Sequence, residues 1–290
     1  MTEFAARFWT SADGLTLYAR DYPGGSGPAR LPVICIHGLT RNSKDFEEVA
    51  PWIAAQGRRV LAVDVRGRGR SAYDANPVNY QPPVYAGDML ALMTGAGIGR
   101  AVFVGTSMGG LITMALSAMS PASVAAAVLN DVGPELSPVG LGRIADYVGG
   151  EKRPARDWRE AAEFIAGING LAFPNNRPED WAAFARRVFR EQDGQLVLDY
   201  DPAIAEAFKA YDPALPQPNL WPLFEGFAAG RPVLLVRGGA SDLIDAEIGQ
   251  RMRRAAPTMA YAEVPDVGHA PMLTEPEARA ALDAFLAELP

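Results

Sequence analysis

The chain has 290 residues, 49 % hydrophobic and 21 % charged, which is enough for a large folded α/β domain or one domain with an insertion. A net charge of −7 with a pI near 5.0 argues against nucleic acid as a partner, since phosphates reward a basic face. A single cysteine, Cys35, excludes an internal disulfide, and two histidines without helical ligand spacing argue against a metal site.

Met1–Arg7 lacks the basic start and apolar core of a signal peptide, and no apolar run could span a bilayer. A soluble cytoplasmic protein is therefore expected; monomer and homodimer are both left open. Phe8–Thr10 and Leu15–Ala19 flank Ala12-Asp13-Gly14 and read as a hairpin. A Gly/Pro connector, residues 23–28, leads to the buried strand Val33–Ile36, which ends in His37-Gly38-Leu39-Thr40. Ser43–Gln56 has helical apolar spacing, with Ser43 as N-cap. The strand Val60–Val63 stops at Asp64-Val65-Arg66-Gly67-Arg68-Gly69-Arg70-Ser71. That run lacks the third glycine of a dinucleotide fingerprint and is isolated in an acidic chain, so a tight turn is the preferred reading. A helix follows over Tyr85–Met93.

Ala101–Val104 is again β-branched and apolar, and it runs directly through Gly105-Thr106-Ser107-Met108-Gly109 into the apolar helix Leu111–Leu116. A strand that turns into a helix without a loop forces its corner residue, Ser107, into an unusual backbone conformation and exposes its hydroxyl at the carboxyl edge of the sheet. Another strand, Val124–Leu129, stops at Asn130-Asp131. Strands alternating with helices at this spacing imply βαβ units and a parallel sheet.

From Glu135 to about Ala229 the texture changes to helical patterns broken by prolines, with no buried-strand run. Three of the five Trp and seven of the twelve Phe lie there. Alternation then resumes with Val233–Arg237, Ala246–Ala256, Ala260–Val264 and Glu275–Leu289. Residues 135–229 therefore read as an insertion over the carboxyl edge, and residues 1–134 with 230–290 as the core.

A serine hydroxyl needs a positioned base, and the base an orienting acid. His37 and His269 both follow strands, so position does not choose between them. One known chain order, nucleophile, acid, base, selects His269 with Asp242; Asp131 and Asp245 are held as reserve acids, and Asp131 is read first as a brace for the elbow or the insertion. The backbone N–H groups of Leu39 and Met108 are the expected oxyanion donors, with His37 orienting their loop. Trp158 and Phe164 are candidate pocket residues together with His37.

His37-Gly38, Asp64-x-Arg66-Gly67-x-Gly69-x-Ser71, Gly105-x-Ser107-Met108-Gly109-Gly110, Asp242 and Gly268-His269 together resemble the α/β-hydrolase superfamily over nearly the whole chain. The Ser-Met-Gly-Gly elbow is similar to those of its carboxylesterase, lactonase, perhydrolase and carbon–carbon-bond hydrolase branches. The resemblance implies an eight-stranded, mostly parallel sheet with a helical cap between strands six and seven, and no cofactor. The expected activity is hydrolysis of a small-molecule ester or lactone by a Ser-His-Asp triad. A carbon–carbon hydrolase, a perhydrolase and a ligand-binding receptor on the same fold are the rival readings.

Overall fold

A computed structural model describes residues 3–25, 27, 30–150, 153–206 and 217–290; Ser26 and Pro28 of the expected connector lie outside them. Eight strands form one sheet: β1 (Ala5–Thr10), β2 (Thr16–Tyr22), β3 (Val33–Ile36), β4 (Val60–Asp64), β5 (Ala101–Thr106), β6 (Val124–Asn130), β9 (Val233–Gly238) and β10 (Ala260–Val264). Their order is β1-β2-β4-β3-β5-β6-β9-β10. The β1–β2 and β2–β4 pairs are antiparallel and the other five are parallel.

The apolar runs are continuous because the sheet is covered on both faces, so alternate residues enter different cores. Ile34, Ile36, Ala101 and Phe103 join the core under α2 (Pro82–Ala96) and α3 (Met108–Met119). Val33, Cys35, Val102 and Val104 face α1 (Val49–Ala55) and the closing helix Pro276–Ala287. Cys35 is fully buried, and burial pushes its thiol above the ordinary range, as suits an inert packing residue.

Ser43–Gln56 is not one helix. Ser43–Phe46 is a 3-10 turn capped by Asn42, whose side chain accepts from the Lys44 N–H, and α1 restarts at Val49. Pro51 explains the break: it has no N–H to give to the Glu47 carbonyl, and a proline is tolerated only in a first turn.

Between β6 and β9 the chain leaves the sheet. This excursion carries α4 (Pro138–Gly149), α5 (Trp158–Asn169), α6 (Pro178–Val188), α7 (Trp221–Ala229) and a small hairpin, β7 (Phe189–Gln192) with β8 (Gln195–Leu198). The hairpin corrects the expectation of helical patterns alone, although its strands are mostly exposed or half-buried and so form no buried-strand run. Its turn is Asp193-Gly194, both at positive φ (51° and 76°), a pair whose twist suits a two-residue hairpin. Among the described residues no helix is long and apolar enough to cross a membrane.

Candidate active site

β5 ends at Thr106 and α3 begins at Met108, so Ser107 alone makes the turn, at φ 52° and ψ −116°. A non-glycine residue there is strained, and the surroundings hold it. Its N–H donates to the Asn130 carbonyl at 2.9 Å. The close packing of helix on strand excludes side chains at two flanking positions. A Cβ on Gly109 would lie 2.1 Å from the Ile36 carbonyl oxygen, and one on Gly105 2.4 Å from the Gly109 carbonyl carbon.

His269, in the loop after β10, meets this serine. Its Nε2 lies 2.9 Å from Ser107 Oγ and its Nδ1 2.8 Å from Asp131 Oδ2. A carboxylate only accepts, so Nδ1–H donates to Asp131, and Nε2 is left to accept the serine proton. Asp131 is fully buried at the end of β6, in the left-handed region at φ 55°. Its carboxylate also accepts from the Gly238 N–H at 2.9 Å and the Ser241 hydroxyl at 2.6 Å, and its own N–H donates to the Val236 carbonyl.

The structure therefore corrects the expected acid. Asp242 does not bond His269; its side chain, 30 % exposed, forms a two-pronged ion pair with Arg143 of α4 at 2.5 and 2.9 Å. Burial would raise the Asp242 carboxyl, but the hydrogen bonds and charge of Arg143 outweigh burial and hold it below the usual range. Asp245 caps the helix Ala246–Ala255 by accepting from the Ile248 N–H. Ser241, next to Asp242 in the chain, donates its hydroxyl to Asp131 instead, and sequence reasoning missed it. Asn130 was missed as well: its amide donates to the Pro271 carbonyl at 2.7 Å and to Thr106 Oγ1 at 3.0 Å, tying the histidine loop to the elbow strand.

His37 is buried and does not line the pocket. The Val65 N–H donates to its Nε2 at 3.0 Å, so its Nδ1–H donates to the Gly38 carbonyl at 2.7 Å. Desolvation lowers its pKa to about 4, against the opposing pull of the Gly38 carbonyl, so the ring is neutral and shapes the loop. Among the described residues no hydrogen bond takes up the Leu39 or Met108 N–H; Met108 follows Ser107 in the chain, and Leu39 lines the same pocket.

Ser107 and His269 open into a cavity of about 110 Å³. Phe164, Ile165 and Phe184 give it an apolar side, while Arg143, Tyr147 and Thr40 supply polar atoms. Phe164 thus lines the pocket, packed edge-to-face on Phe189 at 6.0 Å. Trp158 does not: it packs on the core of the excursion, with Arg186 over its ring at 4.6 Å.

A serine on a strand-to-helix corner, a histidine on a later loop and a buried aspartate, all at the carboxyl edge of a mostly parallel sheet, make an arrangement of the nucleophile-elbow kind. The sequence profile of the alpha/beta hydrolase family matches residues 33–282, and the chain belongs to that family. It is 35 % identical over 268 residues to 3-hydroxybutyrate-oligomer hydrolase of Cupriavidus necator, covering 90 % of each chain. It is 28 % identical to 2-(acetamidomethylene)succinate hydrolase of Mesorhizobium japonicum, over 88 % of this chain and 85 % of that one. The crystal structure of an alpha/beta hydrolase from Novosphingobium aromaticivorans superimposes with a TM-score of 0.91 at 44 % identity, covering 99 % of both chains.

Proposed function

We propose that the chain hydrolyses a carboxylic ester or lactone through an acyl-serine intermediate, with Ser107 as nucleophile, His269 as base and Asp131 as its orienting acid. The observation that carries this reading is the unbroken hydrogen-bonded line from Ser107 through His269 to Asp131 at the wall of the pocket.

As Ser107 Oγ attacks the carbonyl carbon, its proton passes to His269 Nε2 and the carbonyl electron pair moves onto oxygen. The Leu39 and Met108 N–H groups hold that oxyanion. Collapse of the adduct breaks the carbon–oxygen bond, and His269 returns the proton to the leaving alkoxide. Water, deprotonated by His269, then attacks the acyl carbon; collapse breaks the bond to Ser107 Oγ, which takes the proton back from His269, and the acid is released. Asp131 keeps the ring in the Nδ1–H form and stabilises the imidazolium in both halves of the reaction.

Residues 135–229 serve in this reading as a cap that sets substrate choice. A cavity of about 110 Å³ with Arg143, Tyr147 and Thr40 beside aromatic rings suits a small, oxygen-bearing substrate. The relative named for 3-hydroxybutyrate oligomers supports an ester of a hydroxy acid, because ester links join hydroxy acids into oligomers. A turnover panel of short and long acyl esters, lactones, a vinylogous diketone and a hydrogen peroxide arm tests the reading. Short esters or lactones are expected to turn over, with Ser107→Ala inactive. Turnover confined to the diketone or to peracid formation would overturn it, and a single slow turnover with tight binding would make the chain a receptor.

A further inference from the structure

The basic run after β4 is more than a turn. Arg68 is fully buried, yet none of its hydrogen bonds among the described residues goes to a carboxylate. Its Nε donates to the Leu39 carbonyl at 2.9 Å, and its Nη1 to the Arg66 carbonyl at 2.8 Å and the Tyr85 hydroxyl at 2.9 Å. Its Nη2 lies 3.6 Å from Met108 Sδ. The guanidinium also sits over the rings of Tyr85 and Tyr80, at 5.1 and 5.5 Å from their centres.

The contrast with its neighbour is informative. Arg66, equally buried, is matched by Asp88, Asp74 and Asp13. An arginine side chain stays charged in proteins, and burying a charge without a counter-ion is costly, so a structural anchor is ordinarily given one. Arg68 receives carbonyls, a phenol, a thioether and ring faces instead. These partners fix the guanidinium without pairing it to a carboxylate among the described residues. Two of its four polar contacts fall on Leu39 and Met108, the residues expected to supply the oxyanion donors.

We propose that Arg68 is the positioning residue of the oxyanion hole: it holds Leu39 and Met108 in register and adds a fixed positive charge that favours the developing oxyanion. The inference rests on the reading of Ser107 as nucleophile with Leu39 and Met108 as donors. The backbone of Arg68 is itself anchored, its N–H donating to the Val65 carbonyl while the residue forms an isolated antiparallel bridge to Tyr200 of the excursion. A preorganised charge of this kind acts where charge develops in the transition state and contributes little to binding a neutral ground state.

The test measures how fast a fluorophosphonate labels Ser107, since phosphonylation also builds negative charge on an oxygen and needs no knowledge of the substrate. It is paired with kcat and KM for p-nitrophenyl acetate. Losing an oxyanion donor outright costs about 10²–10³ in kcat, so Arg68→Met, which acts through the donors, should slow labelling and kcat by roughly 10- to 100-fold. KM should stay within about threefold and the pH profile should keep its midpoint, because binding and the histidine are untouched. Arg68→Lys keeps the charge and loses the fork, and should recover part of both rates. Wild-type labelling and kcat in a folded Arg68→Met protein, or a loss confined to KM, would overturn the proposal. If Arg68→Met does not fold, Arg68→Lys decides: a loss of about threefold or more in both rates, as expected of a retained charge with a lost fork, supports it, and wild-type rates overturn it. Ser107→Ala is run in parallel. Labelling that persists there refutes the nucleophile assignment itself, whereas abolished labelling with an unaffected Arg68→Met refutes only the role of Arg68.

Discussion

Replacing Asp131 by Asn separates the two candidate acids. The carboxylate accepts three hydrogen bonds, from Gly238 N–H, the Ser241 hydroxyl and His269 Nδ1. An amide has one accepting oxygen and one donating nitrogen. With the oxygen toward Gly238, the NH₂ faces His269, and the ring must present a bare Nδ1 and carry its proton on Nε2. That proton then points at Ser107 Oγ, and the base is lost. With the oxygen toward His269, the NH₂ faces the Gly238 N–H, donor against donor, which costs about 1–3 kcal/mol in a buried site. The first orientation is therefore preferred. The same tautomer switch lowers kcat by about 10⁴ in serine-protease triads, equivalent to about 5 kcal/mol of transition-state stabilisation. Steady-state kinetics on any ester the wild type accepts should show a loss of that order for Asp131→Asn. Asp242→Asn, whose carboxylate serves Arg143, should lose less than about tenfold, as expected of a partly exposed ion pair. The reverse ranking would refute the assignment of the acid.

Three further outcomes follow from individual residues. The pKa of His37 falls to about 4 on burial, from an ordinary value near 6.5, so its neutral form is favoured in the fold. Stability from this residue is complete above about pH 6.5 and is lost as pH falls toward about 4, where only the unfolded chain has bound the proton. Between about pH 7.5 and about pH 4.5, urea unfolding of the wild type should lose about 2–3 kcal/mol more than His37→Asn; parallel curves would remove the argument. Gly109→Ala places a methyl against the Ile36 carbonyl and should lower Tm by about 6 °C or more, whereas an unchanged Tm would show that helix and strand can separate. Phe164→Ala enlarges the apolar side of the pocket and should raise the preference for a hexanoyl over an acetyl ester by roughly tenfold in kcat/KM; an unchanged ratio would place the acyl group elsewhere.

The legible parts of the molecule were those written locally. Val33–Ile36 is a strand to the residue, because a β-branched run between turn signals admits little else. Ser107 stood out through the strand, glycine and helix pattern around it, and His269 through the scarcity of histidine. The acid was a different matter. Asp131 and Asp242 each follow a parallel strand at the same edge, and the choice depends on how strands are ordered in space. β6 lies between β5 and β9, which brings Asp131 to the serine–histidine pair and leaves Asp242 to an arginine 99 positions away. Sequence distance carries no trace of that pairing.

The cap shows the same division. Trp158, Ala161, Ala162, Ile165 and Ile168 are spaced to share one face of α5, but amphipathicity marks a buried face without saying what buries it. Trp158 packs within the excursion while Phe164, between two of those positions, reaches the pocket. The β7–β8 hairpin had a readable signal in Asp193-Gly194, masked by the polar strand residues on either side. The Arg66–Arg70 turn forms as expected, yet its first two arginines face inward, where a basic run would ordinarily be solvated.

The central claim, a covalent acyl-serine, is tested most directly by rapid quenching of the enzyme with a slowly deacylating ester, followed by mass spectrometry of the intact chain and of its peptides. The account predicts a mass increase equal to the acyl group on the peptide carrying Ser107, appearing before steady state and absent in Ser107→Ala. Product release with no acyl adduct, or with the adduct on another residue, would contradict it.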